Sequence, residues 1–246
     1  MRAQRFRVYQ RRGYYRPGLA NDRDPYDARA AYFLATLSNG ADARFLLGSA
    51  RLILGGSRPG FRFPVEEAFV FELPMTIRET TVAERVEVTR VVAEAVQGIV
   101  IGGLLTPLGL IQAIALHVRP LGIRCGLAVI KQRFLRALQG LGVRLHEIAP
   151  ARLIYPKDGM ASGYYHHHPD PVVPVYWRID EIAPSVERAI ALYGSRYTPA
   201  PVRSPVNAVA VESRPESSAH AARRRAHAEP ADPASSGSID GPQRIA

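Results

Sequence analysis

Alternating apolar and polar positions mark three strands in the first hundred residues. Residues 30–37 and 44–54 predict neighbouring strands, because the sequence NGAD at residues 39–42 between them is typical of a hairpin turn. Residues 84–93 alternate polar and β-branched side chains, which predicts another strand.

Residues 98–118 form the most apolar stretch of the chain, long enough to raise the question of a membrane span. Pro107 and Gln112 interrupt the stretch, which argues against a span. Thr106 and Pro107 are typical of an N-cap followed by the first helical residue. We therefore predict a buried helix over residues 107–118 and no transmembrane segment.

Further along, the pattern switches repeatedly between strand and helix periods. It predicts, in order, a strand over residues 125–130, a helix over 131–141, strands over 143–148 and 172–179, and a helix over 184–193. Such alternation is typical of an α/β protein in which helices pack on the faces of a mixed sheet.

The C-terminal segment differs in composition from the rest of the chain. From residue 195 onward Pro, Ala, Ser and Arg dominate, and large apolar side chains are few. A segment of this kind cannot bury enough surface to offset the entropy of ordering. We predict one folded domain over residues 1–194 and a disordered tail over residues 195–246.

The net charge of +10 lies mainly outside this tail. Residues 199–246 hold six arginines against five acidic residues, which leaves +9 on residues 1–198. A basic surface favours an acidic partner, and nucleic acid, an anionic membrane and an acidic carrier protein all qualify. The bias toward arginine over lysine would follow equally from the base composition of a genome.

Cysteine use points to the cytoplasm. The single cysteine, Cys125, cannot form an internal disulfide, and the chain does not start with a signal-peptide pattern. Cys125 lies in an apolar run, so we expect a small buried side chain rather than a nucleophile.

The residues that suggest chemistry begin with the sequence EVTR of residues 87–90. In a regular strand Glu87 and Arg90 would point to opposite faces, but a bulge would let both reach one cleft. The alternative is an exposed edge strand with an incidental charge pair. Six further polar residues precede this strand along the chain; they are Arg5, Tyr9, Tyr15, Asp24, Asp27 and Arg51.

This ordered set resembles the autoinducer (acyl-homoserine-lactone) synthases, which carry an arginine, two aromatics, an acidic element, an Ala-Arg-Leu strand and a Glu-x-Ser/Thr-Arg strand at similar spacings. Residues 126–150, which end in LGVRLHEIAP, are more similar to the N-acyl amino acid synthases and to the acyltransferases associated with exosortase systems. The resemblance covers roughly residues 5–180 and implies a GNAT-like fold.

The resemblance further implies transfer of a fatty acyl group from a carrier-protein thioester to a primary amine. Glu87 would be the base or would orient the amine, and Arg90 would act beside it. The other matching residues would bind substrate: Asp24 and Asp27 in the acceptor pocket, Arg51 on their carboxylates or the acyl-pantetheine, and Arg5, Tyr9 and Tyr15 in a mobile lid. No tightly bound cofactor is expected, and acyl-coenzyme A is the second donor candidate.

One departure from the lactone synthases concerns the acceptor. The lid aromatics here are tyrosines, where those enzymes usually carry phenylalanine and tryptophan, and this disfavours S-adenosylmethionine as the amine. We therefore predict N-acylation of an amino acid or related small molecule, with acyl-homoserine-lactone synthesis as the alternative.

We expect five basic residues to cluster around one end of the strand over 125–130, where an acidic acyl carrier protein would dock; they are Arg119, Arg124, Lys131, Arg133 and Arg136. The apolar helix and strands would wall a tunnel for the acyl chain.

Two other features suggest different functions. Adjacent histidines at 166–168 point in different directions on an extended loop and have no ligand partners at suitable spacing, so no metal site is predicted. The arginine-rich ends suggest a basic nucleic-acid-binding module, but the sequence contains no helix-turn-helix, zinc or RNA-binding signature. A non-catalytic membrane-surface protein also remains an alternative.

Overall fold

The computed structural model describes residues 2–38, 44–56, 60–94 and 103–196. Its strands are β1 (Ala30–Ser38), β2 (Arg44–Leu54), β3 (Phe69–Phe71), β4 (Arg85–Ala93), β5 (Cys125–Lys131), β6 (His146–Glu147), β7 (Ala151–Leu153) and β8 (Val172–Arg178). Its α-helices are α1 (Arg2–Arg11), α2 (Pro64–Ala68), α3 (Met75–Arg78), α4 (Leu105–Val118), α5 (Gln132–Gly140) and α6 (Ile179–Arg196).

Six strands form one mixed sheet in the order β1-β2-β4-β5-β8-β6, and β3 pairs with β7 in a separate ribbon. Neighbours in the large sheet are antiparallel except β4 and β5, which run parallel. Strands β1, β2, β4, β5 and β8 confirm the predicted strands at these positions. Residues 39–42, where a hairpin turn is predicted, lie outside the described residues.

Helix α4 differs from its prediction at its start. It begins at Leu105, and Leu104 occupies the N-cap position without a side-chain capping bond, so the Thr106 cap is wrong. The helical ladder starts earlier because the Leu108 N–H donates to the Leu104 carbonyl at 3.0 Å. Pro107 still lies in the first turn, where no helical partner for its nitrogen is needed. Among the described residues, no helix combines the length and apolarity needed to cross a membrane.

Two later elements also depart from the pattern. The strand predicted over residues 143–148 is reduced to β6, because only His146 and Glu147 pair with β8. The last helix begins at Ile179, directly after β8, and contains Pro184 in its second turn. Helix α1 and the ribbon β3–β7 are absent from the predictions.

Both faces of the large sheet are covered. Leu52, Val86 and Val88 face a core built with α4, α5 and α6, whereas Ile53 and Leu127 face a second core that includes α2. Helices therefore pack on both faces, as predicted. Cys125 is 1% exposed, which confirms its expected burial.

The two central strands separate along their length, and this separation places the site. Strands β4 and β5 pair only from Arg85 and Cys125 to Val88 and Ala128. Past this point β4 has a left-handed residue, Arg90, with φ of 54°, and its register with β2 shifts by one residue. A bulge of this kind bends the strand and ends regular pairing.

Candidate active site

A cavity of about 930 Å³ opens where β4 and β5 separate. One wall is polar and contains Tyr9, Asp24, Arg51, Glu87 and Arg90. The opposite end is apolar and is lined by Ile114, Leu138, Leu145, Val175, Trp177 and Ile182. A polar wall that continues into an apolar recess suits a ligand with a reactive head and a hydrocarbon chain.

Glu87 is the most deeply buried carboxylate of this wall, with 1% of its surface exposed. Burial raises its pKa to about 8, although the Val65 N–H and the charge of Arg51 each lower it. The Val65 N–H reaches Glu87 Oε2 at 3.0 Å because it lies in the first turn of α2, where main-chain donors have no helical partner. Glu87 can therefore exchange a proton near neutral pH.

Arg51 holds two predicted acceptor-pocket aspartates together. Its Nη1 donates to Asp24 Oδ1 at 2.7 Å and to Asp27 Oδ1 at 2.8 Å, while its Nε donates to Thr89 Oγ1 at 2.8 Å. Burial favours a raised pKa for Asp27, but the Tyr32 hydroxyl and Arg51 outweigh it, so the pKa of Asp27 lies below its usual value. Arg51 thus contacts both aspartate side chains, as expected from the sequence.

Arg90 reaches the same wall because of the bulge. Its Nη1 donates to the Asp22 carbonyl at 2.6 Å, and its Nη2 donates to Asp24 Oδ2 at 2.5 Å. Glu87 and Arg90 both line the cavity, as the predicted bulge requires. The left-handed conformation of Arg90, unusual for a side chain of this size, is what turns its guanidinium toward the cavity side.

Asp22 is central to the network but is missing from the sequence prediction. Its Oδ2 accepts hydrogen bonds from Arg5 Nε and, at 3.0 Å, from the Tyr15 hydroxyl. Burial favours a raised pKa for Asp22, yet Arg5 and Arg90 outweigh it and lower the pKa. Asp22 could have been identified from the sequence, because it lies two residues before Asp24 in the sequence NDRD.

The N-terminal aromatic residues lie over this network. Tyr9 and Tyr15 line the cavity, whereas Arg5 lies behind them and is 1% exposed. Tyr9 stacks on Tyr164 with ring centroids 6.4 Å apart and an interplanar angle of 5°. The structure thus brings the three predicted lid residues together. Tyr164 joins these residues, although the sequence did not predict it as part of the lid.

The π-helical turn that carries Tyr164, Gly163–His167, is fastened to the N-terminal segment. The Tyr164 N–H donates to the Tyr14 carbonyl at 3.0 Å, and the Arg16 N–H donates to the Met160 carbonyl at 3.1 Å. Gly163 permits this approach, since a Cβ there would lie 1.8 Å from the Gly13 carbonyl oxygen. The cavity wall is therefore completed by two segments far apart in sequence.

The predicted basic docking cluster is corrected by the structure. Arg119 and Arg124 precede β5, whereas Arg133 and Arg136 follow it on α5. A seven-residue strand spans roughly 20 Å, so these are two groups at opposite ends of β5. Only the second group adjoins the cavity, which Arg133 lines.

Lys131 is a further correction to that cluster because it is buried rather than available for docking. Its Nζ donates to the carbonyls of Tyr164 at 2.6 Å and Asp170 at 2.9 Å, and lies 4.5 Å from the centre of the Tyr164 ring. Burial lowers its pKa to about 8, although Asp170 raises it. Lys131 instead anchors the segment from Tyr164 to Asp170 at the cavity wall.

His166 and His168 have separate partners, and His166 lies in a π-helical turn over Gly163–His167 rather than on the predicted extended loop. His166 Nε2 lies 2.7 Å from the Tyr155 carbonyl, and His168 packs edge-on against Tyr14. Across residues 2–38, 44–56, 60–94 and 103–196, no group of three or more His, Cys, Asp or Glu side chains is arranged to hold a metal ion.

Comparison with known proteins identifies the fold. No protein-family model matches the sequence, and no curated protein matches it. The solved structure of TofI in a ternary complex with an inhibitor and MTA aligns with a TM-score of 0.51 at 21% identity, over 76% of this chain and 86% of TofI. The AHL synthase LasI aligns with a TM-score of 0.51 at 16% identity, over 79% of this chain and 86% of LasI.

A more distant match is FeeM, an N-acyl amino acid synthase from uncultured soil microbes, with a TM-score of 0.41 at 13% identity over 74% of this chain and 85% of FeeM. The alignments with TofI and LasI show that the chain has the GNAT-like fold of the acyl-homoserine-lactone synthases, as the resemblance of its motifs implies.

Proposed function

We propose that this protein is an N-acyltransferase that moves a fatty acyl group from an acyl-carrier-protein thioester to the primary amine of an amino acid or related small molecule. The observation that carries the proposal is Glu87, a buried carboxylate with a pKa of about 8 on the polar wall of a cavity whose far end is apolar.

The proposed reaction needs a base, because an amine attacks a thioester only when it is neutral. An ionised Glu87 accepts the proton that the amine loses as its nitrogen forms the new bond to the thioester carbon. The tetrahedral intermediate then collapses, the carbon–sulfur bond breaks, and the leaving thiolate takes the proton from protonated Glu87, which restores the carboxylate. A carboxylate whose pKa lies near the working pH suits this exchange.

The charged network around Glu87 has a supporting role in this proposal. Arg51 and Arg90 both hold Asp24, which lines the cavity, so its carboxylate keeps a fixed position beside the acceptor. Hydrogen bonds among buried charged groups preorganise a site, because the groups need not move as the reaction proceeds.

The bulge of β4 supplies the second requirement, stabilisation of the oxyanion. Where β4 leaves β5 after Val88, main-chain N–H groups of the bulged segment no longer face a paired strand. Such donors are suited to the oxygen of a tetrahedral intermediate. Cys125, at the far, paired end of β5, is absent from the cavity wall, which is consistent with direct transfer without a covalent enzyme intermediate.

S-adenosylmethionine is the second acceptor candidate, and acyl-homoserine lactone would then be the product. The similarity of fold to LasI favours this reading. Tyr9 and Tyr15 in the lid favour another amine. Acyl-coenzyme A is likewise the second donor candidate.

The test is direct assay of the purified protein. It is incubated with acylated carrier protein or acyl-coenzyme A and a panel of amino acids, other amines and S-adenosylmethionine; released thiol is measured and products are identified by mass spectrometry. We expect an amide product with at least one amine. Absence of thiol release with every pair would overturn the proposal, and salt-sensitive retention of DNA or binding to anionic vesicles would then favour a non-catalytic function.

A further inference from the structure

We propose that Trp177 forms the floor of the apolar end of the cavity and sets the longest acyl chain that the protein accepts. This inference rests on the proposed acyl transfer and adds a specificity-determining residue to it. The inference rests on the packing of the Trp177 indole against Gly126 of the neighbouring strand.

Trp177 fits the sheet only because its neighbour has no side chain. Trp177 of β8 is the register partner of Gly126 of β5. A Cβ built on Gly126 would lie 2.0 Å from indole Cζ2 and 2.1 Å from Cε2. The indole therefore rests directly on the main chain of β5, with 4% of the residue exposed.

The position of this pair relative to the strand separation makes it a floor. Gly126 also pairs with Val86 of β4, so the sheet is continuous at this level. The strands part only after Val88 and Ala128, two residues further along β5. An acyl chain that enters at the separation and runs back along this face meets the indole after about 7 Å of strand.

Neighbouring side chains enclose the same end. Leu138, Leu145 and Ile182 line the cavity with Trp177 and are 1%, 8% and 1% exposed. Helices α5 and α6 supply two of these side chains. A chain that reaches the indole thus meets packed side chains around it, and a longer chain would have to displace them.

The expected effect follows from the gain per buried methylene, which is about fourfold in binding. Trp177→Ala should raise kcat/KM for a donor two carbons longer than the wild-type optimum, relative to that optimum, by about fifteenfold. Val186→Ala is the matched control, because Val186 is a fully buried core residue that does not line the cavity. It should lower stability and leave the order of chain-length preference unchanged.

The glycine gives an independent change in the opposite direction. Gly126→Ala places a methyl group where the indole lies, so the ring must move into the cavity, and the preferred chain should become shorter. Adding Trp177→Ala to this variant should restore acceptance of longer chains. An unchanged length preference in all three folded variants would overturn the inference.

A binding measurement tests the floor without any acyl transfer, because Trp177 is the only tryptophan of the chain. Its fluorescence is titrated with dodecanoates that carry bromine, a contact quencher, on the second or on the last carbon. We expect stronger saturable quenching by the terminal bromine, since that end should reach the indole. Equal quenching by both isomers, or no saturable quenching, would contradict the inference.

The two measurements separate this inference from the proposed function. Graded quenching without thiol release in any assay would keep the chain-binding floor and overturn acyl transfer. Thiol release with a length preference that ignores both substitutions would keep acyl transfer and overturn the role of Trp177.

Discussion

The two ends of the cavity are built on different physical rules. At the polar wall and directly behind it, Arg5, Arg51 and Arg90 each contact an aspartate, and Asp22 and Asp24 each contact two of these arginines. At the apolar end, Val175, Trp177 and their neighbours are held by packing. Buried charges tolerate few arrangements, because each needs an oppositely charged partner, whereas apolar side chains only need to fill the volume.

This difference implies that the polar wall fixes the chemistry and the apolar end sets the size of the substrate. Removing one partner of a buried ion pair costs roughly 3–5 kcal/mol, whereas one buried methylene contributes about 0.8 kcal/mol. Changes at the polar wall should therefore abolish function or folding, and changes at the apolar end should shift preference.

The largest effect is expected at Glu87. Glu87→Gln keeps the shape of the side chain but cannot accept a proton, so kcat should fall by about 10²- to 10⁴-fold at neutral pH, as measured by thiol release. Glu67→Gln is the control, because Glu67 lines the same cavity but is exposed; its loss should be much smaller. Full activity of the Glu87 variant would exclude this residue as the base.

A loss of stability should follow from Asp22→Asn. Arg5 would then be buried without its carboxylate, and the free energy of unfolding, measured by urea denaturation, should fall by about 3–5 kcal/mol. The control is Asp180→Asn, which breaks the exposed pair of Asp180 with Arg178 and should cost at most about 1 kcal/mol. Equal effects of the two variants would refute the distinction between the polar wall and an ordinary surface pair.

Stability should also depend on pH through Glu87. Burial raises its pKa from the ordinary 4.5 to about 8, so between these values the folded chain holds a proton that the unfolded chain has released. Raising the pH through this window therefore lowers the free energy of unfolding, by on the order of a few kcal/mol.

Comparison with Glu87→Gln isolates this contribution. The difference in unfolding free energy between wild type and variant should fall from pH 5 to pH 8 and then level off, while kcat/KM of the wild type rises over the same interval as Glu87 ionises. A difference that stays constant with pH would show that Glu87 titrates normally.

The smallest of these effects is expected at the surface, outside both ends of the cavity. Arg133→Glu with Arg136→Glu should raise KM for an acylated carrier protein by about tenfold, because both residues lie on α5, Arg133 lines the cavity and the carrier is acidic. The matched control is Arg119→Glu with Arg124→Glu, which reverses the same number of charges at the opposite end of β5. Equal changes in KM for both pairs would indicate a response to net charge alone and would refute a docking surface at α5.

Much of the sheet could be predicted from the sequence. Strands β2, β4 and β5 carry their apolar pattern locally, and each is long enough for the pattern to repeat. Helix α1 could not be predicted in this way, because its sequence RAQRFRVYQR is mostly polar and its burial depends on contact with β4. The three-residue strands β3 and β7 are too short for a pattern, and they pair across some eighty residues of sequence.

For the candidate site, the sequence by itself determined the residue types: a carboxylate at 87, arginines at 51 and 90, and aspartates at 24 and 27. Residue types follow from local motifs and their order. Only the tertiary structure decided that Asp22 joins the network, that Lys131 is buried, and that Trp177 covers Gly126. These facts depend on contacts between strands and loops far apart in sequence, where burial and unpaired main-chain groups determine which side chains meet.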